Sequence, residues 1–209
     1  SDSVTLADES TVTLAHSKRY FAFVRMLSKH VETLPHSVPF TPQIQRFKRM
    51  PTSVPIPLSP SSSAAKKFFL QSPAASGGAV AAVRAGVVDV GHQSTEPNQA
   101  KDEEEGSDTT FSKGSFIAAL RAVGAACNAV DAVVNGRARH VLCLVRPPGH
   151  HAGVEGLSVQ GDSHQSCGFC IFNSVAIAAI YAMKKHPKTV KRVAIIDIDV
   201  HHGNGTEEI

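Results

Sequence analysis

Apolar positions recur along this chain at two spacings, one helical and one extended. Tyr20, Val24, Leu27 and Val31 fall at i, i+4, i+7 and i+11, which predicts one buried helical face, with Ser17 as N-cap and an end near Leu34. Phe116, Leu120, Val123, Cys127, Val130 and Val134 form a second such stripe, predicting a long helix from an N-cap at Ser112 to a stop near Gly136. A third helix follows Asn173, runs through Val175, Ile180 and Met183, and ends before Pro187. Between them, Val141–Val145 and Val193–Ile196 are short β-branched runs, each read as a strand buried on both faces. Strand, loop, helix, strand is the alternation of an α/β domain: a parallel sheet with helices on both faces.

The remaining segments are polar or broken. Residues 1–13 read as frayed or edge structure. From Pro35 to about Gln99 the texture changes, with nine of the twelve prolines and the Ser59-Pro60-Ser61-Ser62-Ser63 run, which predicts a long loop or partly disordered insertion. Ala74–Val90 is small and apolar, consistent with a short helix broken at Gly77-Gly78, and Lys101–Asp108 is an acidic loop.

Composition narrows the class. At 209 residues and 42% apolar, the chain can build one substantial core or part of a larger one. A formal charge of +3, with no basic stripe interleaved with aromatics, argues against a nucleic-acid groove. Four cysteines (127, 143, 167, 170) without a regular framework fit a reducing compartment. There is no signal peptide, and no apolar run is read as approaching the ~20 residues of a membrane span, so a soluble intracellular protein is expected. Because the chain stops at Ile209, one turn into a helix opened by Thr206, a fragment of a longer protein is expected.

Candidate chemistry concentrates at two strand ends. In Val193–Thr206 (VAIIDIDVHHGNGT), Asp197, Asp199 and His201 recur with period 2 and so point to one side of an extended chain. Gly203 and Gly205 then permit a tight turn. A carboxylate and an imidazole two residues apart both reach one divalent ion, and mixed N/O ligation suits catalytic zinc. In a parallel sheet the turn Arg146–Ala152 would put His150 and His151 on the same rim. That is equipment for metal-assisted hydrolysis, with an imidazole moving the proton. Asp197 and Asn204 are placed to orient the two rings; an anionic partner also raises basicity, whereas Asn orients without adding charge. The blander alternatives are a polar strand end with a solvated turn, and for His150-His151 a surface turn. Cys167-Gly-Phe-Cys170 has no second pair beside it, so packing is preferred to redox chemistry or half a zinc clip.

The blocks RPPGHHA (146–152), GFCIFN (168–173) and DIDVHHGNGT (197–206) resemble the signature of the zinc-dependent histone deacetylases. Asn204 and the Arg-Pro-Pro opening are similar to the class II branch and its acetylpolyamine amidohydrolase relatives. The likeness covers residues 108–209 and, more weakly, 9–34. It implies an arginase/deacetylase-like sheet, incomplete here, with 1–209 as the N-terminal portion of one catalytic domain carrying an insertion at about 35–107. By this resemblance Asp199 and His201 are two of three zinc ligands. His151 is the general base on the attacking water, and His150 the more charged neighbour that stabilises the oxyanion. Asp197 is the partner of His150 and Asn204 the partner of His151. Gly168 and Phe169 belong to the tunnel that grips the acetyl-lysine methylenes, and Asp108 is the rim carboxylate for the substrate backbone. A potassium ion is expected near the backbone of Asp197, Asp199 and His201. The third ligand, an Asp, and a carbonyl-polarising tyrosine are expected beyond Ile209, so this segment alone should be inactive.

The resemblance further implies acetylated histone tails or other acetyl-lysine proteins as substrates, corepressor-type partners, a role in chromatin and transcription regulation, and a nuclear or cytoplasmic location. Neither nucleic acid nor membrane is an expected partner. The competing readings are an acetylpolyamine deacetylase and a non-catalytic deacetylase-like scaffold. A dinuclear arginase-like enzyme would need bridging carboxylates that DIDVH does not supply.

Overall fold

The computed structural model describes residues 5–53, 55–56, 109–157 and 167–209. The first predicted helix forms as α2 (Lys18–Glu32), where the Ser17 side chain accepts from the Tyr20 N–H at 2.9 Å. Its predicted stripe is the core: Tyr20, Val24, Leu27 and Val31 are all fully buried. The segment expected to fray carries a short helix instead, α1 (Glu9–Val12), because Asp8 accepts from the Thr11 N–H and caps it.

The Pro-rich stretch is not wholly a loop. Val38–Pro39 (β1) leads into α3 (Phe40–Arg49), whose Phe40, Ile44 and Phe47 sit at helical spacing and are buried. Pro42 lies in the first turn, where a missing N–H costs nothing. Phe23 and Phe47 stack at 4.6 Å, and the Arg19 guanidinium lies 4.2 Å over Phe47 while donating to the Phe47 and Met50 carbonyls. Ala74–Val90 and the acidic loop lie outside the described residues.

Thr110–Phe111 (β2) pairs antiparallel with β1, Val38 opposite Phe111. The second long helix, α4, runs Ser115–Val134. Its N-cap is Gly114, at φ 89°, not Ser112; the Ser112 N–H instead donates to Ser115 Oγ, one turn early. By length and composition this helix is apolar enough to cross a membrane, with mean hydropathy 1.6, which corrects the reading that no run qualifies. Its Ala119, Leu120, Val123 and Cys127 are buried, and it packs on α5 (Ser174–Lys185) and α2. Of the four cysteines, Cys127, Cys167 and Cys170 are buried and Cys143 is half-buried.

The parallel sheet is the main departure. Among the described residues the only ladders are β1–β2 and the hairpin of Ala152–Gly153 (β3) with Gly156–Leu157 (β4), each of two residues per strand. The runs 141–145 and 193–200 pair with nothing in a ladder, and Leu142, Leu144, Ile196, Ile198 and Val200 are 82–94% exposed. Val141–Val145 and Val193–Ile196 were the expected buried strands. Burial of a strand on both faces requires neighbouring strands and a covering layer on each side, and here those neighbours are absent among the described residues.

Candidate active site

Three segments bring the candidate residues together. The turn after Val145 carries His150 and His151, the second extended run carries Asp197, Asp199 and His201, and α6 (Asn204–Glu208) carries Asn204. The helix opens at Asn204, two residues before the predicted Thr206, with Gly203 as N-cap. The His150 and His151 rings lie side by side, centroids 4.1 Å apart, and His151 meets the His201 ring edge-on at 6.1 Å.

Each ring of the pair is oriented through Nδ1. His150 Nδ1 is 2.8 Å from Asp197 Oδ2, and His151 Nδ1 donates to Asn204 Oδ1 at 2.7 Å. The same nitrogen of each ring is therefore engaged, leaving Nε2 of His151 to face the site as an acceptor. Asp197 is fixed in turn: its Oδ1 accepts the Asp199 N–H at 3.1 Å. That backbone bond and then the His150 imidazole hold its carboxyl below the usual carboxylate range. Asp199 is likewise lowered, first by the His201 N–H at 2.8 Å and then by the His201 ring.

Asp199 Oδ1 and His201 Nδ1 are 3.0 Å apart, and the two side chains are 47% and 73% exposed. The two groups lie against each other at an open edge of the structure. Such a carboxylate–imidazole pair fits two positions of a catalytic zinc, which takes three protein ligands. Among the described residues no cluster of three or more His, Cys, Asp or Glu that could hold a metal is formed.

Phe169 stands beside the histidines, half exposed, with its backbone at φ 63°. A bulky side chain in the left-handed region is costly unless something holds it. Thr109 does so, its Oγ1 accepting the Phe169 N–H at 2.9 Å. Gly168 precedes it at φ 50°, and a Cβ there would collide with the His151 ring. Phe169, Thr109, Thr110, Arg146 and Pro147 line a cavity of about 350 Å³, with the Arg146 guanidinium 5.9 Å from the Phe169 ring. Thr109 was not singled out in the sequence, and Arg146 figured there only as the opening of the Arg-Pro-Pro block, with no role at this cavity. Asp108 lies outside the described residues.

A profile of the histone deacetylase domain matches residues 3–209. The chain belongs to the histone deacetylase family, amide hydrolases that are in general zinc-dependent and share the arginase/deacetylase fold. It is 51% identical over 105 residues to Type-2 histone deacetylase 1 of Dictyostelium discoideum, covering 50% of this chain and 7% of that one. Histone deacetylase HDA1 of Saccharomyces cerevisiae is 41% identical over 108 residues, 52% of this chain and 14% of the yeast protein. Human Polyamine deacetylase HDAC10 is 43% identical over 97 residues, 46% of this chain and 13% of the relative. Among solved structures, the HD domain of HDA15 matches at 41% identity and TM-score 0.41, over 50% of this chain and 26% of that one. The matched span is thus a small part of each of these relatives.

Proposed function

We propose that this chain supplies the imidazole pair and two metal ligands of a zinc-dependent protein lysine deacetylase. The observation that carries the reading is the paired anchoring at Nδ1, His150 by a carboxylate at 2.8 Å and His151 by a carboxamide at 2.7 Å, beside the open Asp199–His201 pair. Asp199 and His201 would hold zinc. A zinc ion so held supplies Lewis acidity, polarising the acetyl carbonyl and making a neighbouring water easier to deprotonate.

The protein's own groups do the rest. His151 Nε2 takes the proton of the attacking water as its oxygen bonds to the acetyl carbon. His150, held at Nδ1 by Asp197, stabilises the developing oxyanion. The C–N bond then breaks, the lysine nitrogen takes the proton that His151 took from the water, and acetate leaves. Gly168 and Phe169 grip the lysine methylenes, and Asp108 accepts from the substrate backbone. Asp197 and Asn204 hold the rings, and backbone oxygens near 197, 199 and 201 bind potassium. Two protein ligands are one short of the usual set, so the working enzyme takes a third ligand from elsewhere and this segment alone is inactive. Histone tails or other acetylated proteins as substrates, corepressor-type partners and a nuclear or cytoplasmic location belong to the same reading.

One observation favours a second substrate class. The Asp102–Glu105 run would suit a polycation, and one relative is a polyamine deacetylase. The full-length protein, loaded with zinc, should hydrolyse a fluorogenic acetyl-lysine peptide, and His151→Ala should lose at least about 100-fold in kcat. Hydrolysis of acetylspermidine but not the peptide would select the polyamine reading. Wild type as inert as the variant on both would leave only a non-catalytic scaffold.

A further inference from the structure

The histidine loop is held from behind by a buried polar network in which no side chain belongs to the set assigned above. His16 is 3% exposed; its Nδ1–H donates to Gly153 O at 2.8 Å, and its Nε2 accepts the Asn173 backbone N–H at 2.9 Å. A backbone N–H can only donate, so Nε2 carries no proton and the ring is the neutral Nδ1–H form. Asn173 is fully buried and spends its whole carboxamide. Oδ1 caps α5 by accepting the Ala176 N–H at 3.1 Å. Nδ2 donates to Ala152 O at 3.2 Å and to Thr206 Oγ1 at 3.0 Å.

The other side of the loop is held as firmly. The Thr206 N–H donates to His150 O at 3.0 Å, the Ser17 N–H to Val154 O at 3.0 Å, and the Val154 N–H to Glu208 Oε1 at 2.9 Å. Gly205 lies so close that a Cβ would strike the His151 and Ala152 backbone. The main chain from 150 to 154 is thereby bonded at four carbonyls and one N–H, by groups from three separate segments.

We infer that His16 and Asn173 are positioning residues for the His150–His151 pair, fixing its backbone through Gly153, Ala152 and Thr206. Neither touches a reacting atom. Apolar packing sets where a loop lies but not where its carbonyls point, and a fully satisfied polar network sets both. What the imidazoles do once aimed rests on the deacetylase reading; that the network aims them does not.

The discriminating substitution is Asn173→Asp in the full-length protein. It keeps an oxygen to cap α5 but loses both donors from Nδ2. Amide hydrogen exchange in 149–157 should accelerate about tenfold or more while exchange in 174–185 stays at wild-type rates. Thr206→Val should do the same and Thr206→Ser should not, which covers failure of the first variant to fold. Where the wild type deacetylates, kcat should fall about tenfold or more with KM within about twofold. Ser17→Ala serves as control, since it weakens α2 and leaves every side chain of the network intact. Unchanged exchange in 149–157, the same acceleration in Ser17→Ala, or accelerated exchange with undiminished kcat would each overturn the inference. If the wild type turns over no acetylated substrate, the exchange result alone decides, and only the deacetylase reading is lost.

Discussion

His16 shows how one buried side chain sets the conditions under which the fold holds. Burial, its largest influence, drives the pKa down to about 4. The unfolded chain therefore binds a proton at this position that the folded one refuses between pH 6.5 and about 4. Stability from His16 is complete above pH 6.5 and is lost as the pH falls through that window. The loss should reach about 2 kcal/mol by pH 5, read from urea unfolding at pH 7.5 and 5. A His16→Gln variant should be weaker at pH 7.5 and lack that component of the pH dependence. The residues that sequence alone assigned are those whose character is local. Asp197, Asp199, His201 and Asn204 announce themselves as polar groups at fixed spacing on an apolar run. His16 does not, because its partners lie 137 and 157 residues away and are backbone groups. Thr109 is hidden for the same reason, since it acts on a main-chain N–H 60 residues on.

Among the elements, helices were legible where a side-chain cap and an apolar stripe coincide. Ser17, the predicted cap, and Asn173, after which a helix was expected, each accept from the N–H three residues on, and both helices begin at the next residue. At Ser112 the same residue type misleads: Gly114 takes the left-handed turn, and the helix starts after it. Helix α3 was masked by prolines, although its apolar positions keep helical spacing. One interelement contact is polar and concentrated. Asp131 of α4 accepts from Lys185 at 2.9 Å, Tyr181 at 3.0 Å and His186 at 2.7 Å, all at the end of α5. Burial by itself raises the Asp131 pKa, but these three bonds outweigh it and leave it lowered. Its contribution is therefore present above the unfolded carboxyl pKa and fades in acid as Asp131 protonates. Asp131→Ala should cost about 1–3 kcal/mol at neutral pH, measured as a fall in the urea midpoint without a change in slope.

Across the whole molecule, the helical layer was readable and the sheet was not, for a physical reason. A helix closes its own hydrogen bonds, whereas a strand is completed only by neighbours. The apolar runs at 141–145 and 193–200 have strand composition yet face solvent. Such surfaces associate. This 209-residue chain should sediment as concentration-dependent oligomers, and Ile196→Lys combined with Ile198→Lys should return it to monomer with its helix content intact.

The ribbon from 193 to 201 thus carries sticky flesh and chemical teeth on the same nine residues. Any strand that zips along it would dry the apolar side and, in the same stroke, stiffen the Asp199 and His201 arms. Closing the ribbon and steadying its polar arms thus become a single event.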